Sequence, residues 1–185
     1  MEDTELAEYI TMLENHRKEK DRYFEESPDS PIPPDQRHRF RGLNYFPVDP
    51  SYRFMAKLVE YDKPEKVPMV TSVGTVDEYL KQGYLEFELR GETHRLEAYR
   101  SLHHQHGESL FVPFRDATSG KETYGSSRYM DIRMLEDGVY DLDFNTAYSP
   151  FCAYSDDYVC PLAPKENWLD VPIRAGEKDY GKSPS

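Results

Sequence analysis

Apolar positions at the start of the chain recur at helical spacing. Leu6, Ile10 and Leu13 fall at i, i+4 and i+7, with Tyr9 alongside. Asp3 or Thr4 can cap the start, and Glu5 and Glu8 suit the positive end of the helix dipole. After Leu13 the stripe is interrupted by Arg17 and Lys20 before Tyr23 and Phe24 resume it. That break predicts a helix that projects from the domain or lies flat along it. Pro28, Pro31, Pro33 and Pro34 then exclude helix and predict an extended linker.

From Phe40 onward the period changes to that of strands, at 53–61, 82–102, 109–114, 128–135 and 139–145. In the segment 84–99, a two-residue turn at Gly91-Glu92 sets Leu89 against His94, Phe87 against Leu96 and Leu85 against Ala98. One face is then apolar, while the other pairs Glu88 with Arg95 but also opposes Glu86 to Glu97. A second hairpin is predicted at 128–146 around a three-residue loop, Glu136-Asp137-Gly138. This register sets Met134 against Tyr140, Ile132 against Leu142 and Met130 against Phe144. A two-residue Asp-Gly turn would mix the faces. Short-interval strands with no second helical period predict a mainly β fold, an antiparallel barrel or sandwich with an N-terminal α-helix. Residues 1–35 form the helix and proline-rich linker, and 36–185 a single β domain.

Composition narrows the function classes. The chain has 185 residues, 37% hydrophobic and 14% aromatic, enough for a core without cross-links. Its net charge of −12 repels a phosphate backbone or an anionic membrane, so neither nucleic acid nor membrane is an expected partner. Such a surface also fits a protein kept soluble in high salt. No apolar run reaches the length of a membrane span and no basic-then-apolar leader follows Met1, so a cytoplasmic location is expected.

Several residue groups carry candidate chemistry. In the second hairpin's predicted register Asp131 opposes Asp143, and two facing carboxylates call for a cation or a shared proton. This is either an acid for hydrolysis or a solvated face in which Arg133 pairs with Asp141. His103, His104 and His106 lack a third ligand and read as an exposed polar loop, so no metal site is predicted. Thr118, Ser119, Gly120, Gly125, Ser126 and Ser127 form small-residue turns whose amides could hold an anion beside Arg115, Lys121 and Arg128. The competing reading is a structural loop with Arg128 tied to Asp116 or Glu122.

Cys152 and Cys160 lack zinc-site spacing and have no nearby histidine. Two buried thiols fixing a proline-bounded loop is the first reading and a disulfide the second, since no leader marks an oxidising compartment. A nucleophilic cysteine would need a histidine brought to it by the fold.

Three stretches, FRGLNYFPVDPSYRF (40–54), FVPFRDATSGKETYGSSRYMDI (111–132) and LDFNTAYSPFCAYSDDYVCPLAPKENWLDVPIRAGEK (142–178), together resemble the DUF1684 domain family. The resemblance implies that helix, linker and β region form one unit, and it supplies no mechanism. Relative to that pattern, glycine is usual where Ser126 or Ser127 stands and arginine where Trp168 stands. The positions that match the motifs and could line a site are Arg115, Asp116, Tyr124, Arg128, Asn145, Tyr148, Cys152, Cys160, Glu166 and Asn167. The expected function is a small-molecule-binding β domain with an anionic ligand and no cofactor. Its pocket would be built from the 115–131 loop, Asn145, Tyr148 and the proline-bounded C-terminal loop. Alternatives are a hydrolase using the Asp pair or a Cys/His arrangement, and an interaction module docking through the N-terminal helix.

Overall fold

The computed structural model describes residues 2–103 and 109–181. Of the three clustered histidines only His103 lies within them, and it is exposed. Helix α1 (Asp3–Glu26) precedes seven strands: β1 (Arg53–Val70), β2 (Val76–Leu89), β3 (Glu92–Ser101), β4 (Leu110–Phe114), β5 (Arg128–Ile132), β6 (Met134–Glu136) and β7 (Val139–Asp143). They form one antiparallel sheet of order β5-β4-β3-β2-β1-β7-β6. The chain steps from edge strand β5 to edge strand β6 through Arg133 alone, which draws the two edges toward each other. The sheet is therefore a curled half-barrel, the barrel-like branch of the expected fold. Its inner face carries Leu85, Phe87, Leu96, Leu110, Val112, Phe114, Met130, Leu142 and Phe144, all buried. With these side chains filling the concave side, ligand contacts are left to the outer surface and the rims.

The first hairpin keeps its predicted faces but not its register. Leu89 pairs with Glu92, Phe87 with His94, Leu85 with Leu96 and Gly83 with Ala98, around an Arg90-Gly91 turn. Both turn residues have positive φ, 55° and 80°, as a type I′ turn requires. The shift relative to expectation is two residues across the pair. That preserves which side chains face the core, so burial could not detect it. Charge could have. The observed register replaces Glu86 opposite Glu97 by Glu86 opposite Arg95, with an ion pair of 3.0 Å.

The second hairpin is corrected in a different way. Asp137 and Gly138 have φ 46° and 77° and make a two-residue turn, yet Met134 still faces Tyr140. A register shift at Leu135 reconciles the two. Beyond Met134 the hairpin ends, because β5 leaves to pair with β4. β1 and β2 extend well past the predicted strands, over 62–70 and 76–81. Between Glu60 and Glu65 their register slips, and Gly83 lies beneath the slip. A Cβ at Gly83 would stand 2.3 Å from the Val59 carbonyl oxygen, so the strands could not approach as they do.

Helix α1 packs onto the domain through Tyr9, Leu13 and Phe24. The two basic residues that interrupt its stripe lie on the same docking face. The Arg17 guanidinium donates to the Phe46 carbonyl at 2.9 Å and lies 4.4 Å over the Tyr45 ring. Lys20 pairs with buried Glu177. The helix therefore does not project, and Leu13, with Leu6 and Ile10 partly covered, is used within the chain. That removes the support for an interaction module built on this stripe. The proline-rich segment is also packed: Ile32 is fully buried with Phe24, Phe40 and Tyr154.

Candidate functional site

The loop after β4 is ordered by Asp116. Its carboxylate accepts from the Thr118 backbone and hydroxyl at 3.2 and 2.8 Å, from the Ile173 amide at 2.7 Å, and from Arg128 at 3.3 Å. The amides of 119–123 close on Asp116, Thr118 and Thr123 carbonyls. The expected anion nest in this first turn is therefore already satisfied from within, and the tie between Arg128 and Asp116 is the structural reading of the loop.

The residues predicted to share a pocket separate into three groups. Arg128, Asn145 and Asn167 are buried and engaged by the surrounding chain, with the Arg128 Nε left buried without a hydrogen-bond partner among the described residues. Arg128 donates to the carbonyls of Ile173 at 2.8 Å, Ala175 at 2.5 Å and Glu177 at 3.2 Å. Asn145 bridges the Asp49 amide and carbonyl at 2.9 and 2.8 Å. Asn167 accepts from the Glu97 amide and donates to the Glu97 and Pro113 carbonyls. Tyr148 donates to Asp131 at 2.5 Å. The second group centres on Glu166, beside the outer face of β2 and β3. In the third group, Arg115 lines one open depression and Tyr124 the depression next to it.

The carboxylate pair expected across the second hairpin does not form. Asp131 takes the Tyr148 hydroxyl, whereas buried Asp143 takes the Tyr9 hydroxyl at 2.7 Å and the Asn145 amide at 2.9 Å. Asp141 pairs with Arg53 through two 2.8 Å bonds, not with Arg133. The like-charge problem is thus met by separate donors. The Cys/His arrangement is likewise absent: Cys152 and Cys160 form a disulfide, in place of the two thiols of the first reading. It closes a short loop against the β1–β2 connection, where the Ser72 hydroxyl accepts from the Cys160 amide at 3.2 Å. Replacing both cysteines by serine is expected to lower stability by about 2–3 kcal/mol in the chain-entropy account, readable as a shifted urea midpoint.

Around Glu166 the side chains form a proton-rich cluster. Glu166 accepts from Tyr99 and pairs with Lys81 at 2.7 Å. Lys81 lies 3.8 Å from Glu97, whose two oxygens each stand 2.9 Å from the Tyr61 hydroxyl. Burial raises the Glu97 carboxyl above its ordinary range, against the opposing pull of Tyr61 and Lys81. Burial and Glu97 push the Tyr61 hydroxyl up to about 12. A carboxyl raised on folding favours the fold below its unfolded value, and the benefit is lost as pH rises through the folded value. Glu97→Gln, which stays neutral, is therefore expected to gain stability relative to the parent as pH climbs through the carboxylate range. Urea midpoints of both proteins across that range check this, and a constant difference would contradict it.

The open site is a groove between the β4–β5 loop, the β1–β2 connection and the C-terminal segment. One depression of about 450 Å³ is lined by Met69, Arg115, Ser126, Leu162, Lys165 and Trp168, among others. A neighbouring one of about 440 Å³ includes Ser72, Tyr124, Cys152 and Tyr158, and shares Ser126 and Leu162 with the first. Backbone pairing sets Arg115 beside Trp168: the Arg115 amide donates to Asn167 at 3.0 Å and its carbonyl accepts from Leu169 at 2.8 Å. The Arg115 guanidinium lies 4.5 Å over the Trp168 ring, whose own N–H donates to the Ala163 carbonyl at 2.9 Å. Stacking occupies the flat face of the guanidinium and leaves its N–H edge open for in-plane acceptors. Neither Arg115 nor Lys165 has a side-chain hydrogen bond or ion pair among the described residues. Lys165, Leu162 and Met69 were not singled out from the sequence. The one available signal was their place in or beside proline-bounded segments.

Residues 38–178 match the family described as "Protein of unknown function (DUF1684)". Among solved structures, the chain is similar to an uncharacterised protein from gene locus rrnAC0354 of Haloarcula marismortui, determined in solution by NMR. The two share 45% identity with a TM-score of 0.73, over 96% of this chain and 97% of that one. No curated protein matches the chain.

Proposed function

Since the chain belongs to the DUF1684 family, whose description leaves activity open, we propose from the site alone that it binds a small anionic molecule in the groove beside Arg115. The observation that carries this is a pair of cationic side chains, Arg115 and Lys165, that line a concave surface and have no carboxylate partner among the described residues. A guanidinium stacked on an indole is pre-oriented for a carboxylate or phosphate, and it delivers two parallel hydrogen bonds at little entropic cost. Apolar Met69, Leu162 and Ala163 give the ligand's body a dry contact.

The test is titration of inorganic phosphate and of benzoate into the folded protein, followed by calorimetry or by amide shifts of residues 125–126 and 162–168. Arg115→Ala is expected to weaken binding by roughly tenfold to a hundredfold, the equivalent of about 1.5–3 kcal/mol for hydrogen bonds to a charged group. Unchanged affinity in that variant, or no binding of either anion by the parent, would refute the proposal.

A further inference from the structure

The two depressions adjoin at Ser126 and Leu162, which line both. Their chemistry differs from end to end. Around Arg115 the surface offers two cations, an indole and apolar side chains. Past Ser126 it is lined by Tyr124, Tyr158, Ser72 and Val73, with the acidic Asp156 at the same end. This far half is held in shape by several bonds. The Ser72 amide donates to the Cys160 carbonyl at 2.9 Å and the Leu162 amide to Val70 at 2.8 Å. The disulfide closes the segment that carries Tyr158, and the Tyr158 ring packs edge-on to Phe151 at 5.2 Å. A wall so braced is a preformed surface, and preformed, largely rigid sites are those that gain affinity from added ligand length.

We propose that the two depressions are halves of one site, and that its ligand is an elongated phosphate or carboxylate ending in a polar aromatic ring. The anionic group sits on Arg115 and Lys165, the body passes Ser126 against Leu162, and the ring lies between Tyr124 and Tyr158. A ring with hydrogen-bonding atoms suits the far half better than an alkyl chain, since hydroxyls would otherwise be covered without partners. This inference rests on the anion site at Arg115 and adds to it the length and chemistry of the ligand.

The experiment compares inorganic phosphate, which can occupy only the cationic half, with adenosine monophosphate, which spans both. In the parent protein the nucleotide is expected to bind at least about tenfold more tightly, an increment of about 1.4 kcal/mol. Tyr158→Ala, Tyr124→Ala and the neck-blocking Ser126→Phe should each bring the ratio of the two affinities toward one. Arg115→Ala should weaken both ligands. If phosphate binds through Arg115 but the nucleotide gains nothing, or keeps its gain in all three distal variants, the single-site inference is overturned and the anion site stands. If neither ligand binds, both readings fall. Circular dichroism on each variant separates loss of fold from loss of contact, and the three distal variants together keep the outcome readable if one of them unfolds.

Discussion

Arg128→Met is expected to lower stability by about 3–5 kcal/mol, the range for removing one partner of a buried ion pair. Arg128 is 1% exposed and its partner Asp116 has no accessible side-chain surface. Burial lowers the basicity of the guanidinium, while Asp116 opposes that effect. Methionine fills much of the volume and can retain packing against the Phe114 ring, which lies 5.1 Å from the guanidinium. What it cannot replace is the set of donors. The Ile173, Ala175 and Glu177 carbonyls lose theirs, and the Asp116 charge stays buried without its counter-ion. The C-terminal segment should loosen first, because Arg128 is what holds those carbonyls. Urea unfolding gives the magnitude, and hydrogen exchange at the 173 and 177 amides gives the location. Adding Asp116→Asn should recover part of the loss, since the charge is then gone. A loss below about 1 kcal/mol would place this pair among ordinary surface ion pairs and would contradict its burial.

Asn167→Ala is the second large effect, a loss of about 3 kcal/mol. Among the described residues, strands β3 and β4 share one ladder pair, Tyr99 with Phe111. Further along, Pro113 has no N–H to give, so the ladder cannot continue there. The Asn167 side chain takes over. It accepts from the Glu97 amide at 2.8 Å and donates to the Glu97 carbonyl at 2.9 Å and the Pro113 carbonyl at 2.8 Å. Alanine leaves one donor and two acceptors buried without partners, at about 1–3 kcal/mol each before relaxation or water offsets part of it. Asn167→Asp should be as damaging near neutral pH, because a carboxylate then faces two carbonyl oxygens, and less so in acid, where one oxygen carries a proton. Thermal or urea unfolding of both variants at two pH values checks this. Equal stability of Asn167→Ala and parent would show that water substitutes for the amide.

These two residues illustrate how far a sequence reading goes. Arg128 and Asn167 stood out within motifs, beside Arg115 and Tyr124, and nothing in their spacing distinguished clamp from contact. The distinction is burial and partner identity, and the partners are remote: Asn167 serves Glu97 and Pro113, and Arg128 serves the chain near 173–177. Trp168 was noticed as a departure from a pattern, but its pairing with Arg115 requires the parallel bridge between strand end and C-terminal segment. The interrupted stripe of α1 shows the same limit. Arg17 and Lys20 read as a break because a basic residue on a docking face is normally solvated. Here buried acceptors, the Phe46 carbonyl and Glu177, await them.

Local periodicity by itself determined that antiparallel strands follow residue 40, which side chains of the first hairpin face the core, and that a helix precedes them. These follow from alternation and helical spacing, which act over a few residues. The tertiary structure alone decided the register of the first hairpin, the departure of β5 from the second, the pairing of the cysteines, and which polar residues are clamps and which line a groove. Each of those depends on partners distant in sequence. A two-residue slip leaves every face unchanged, and a buried polar group is defined by the acceptor that reaches it, so neither is written in any short stretch of chain.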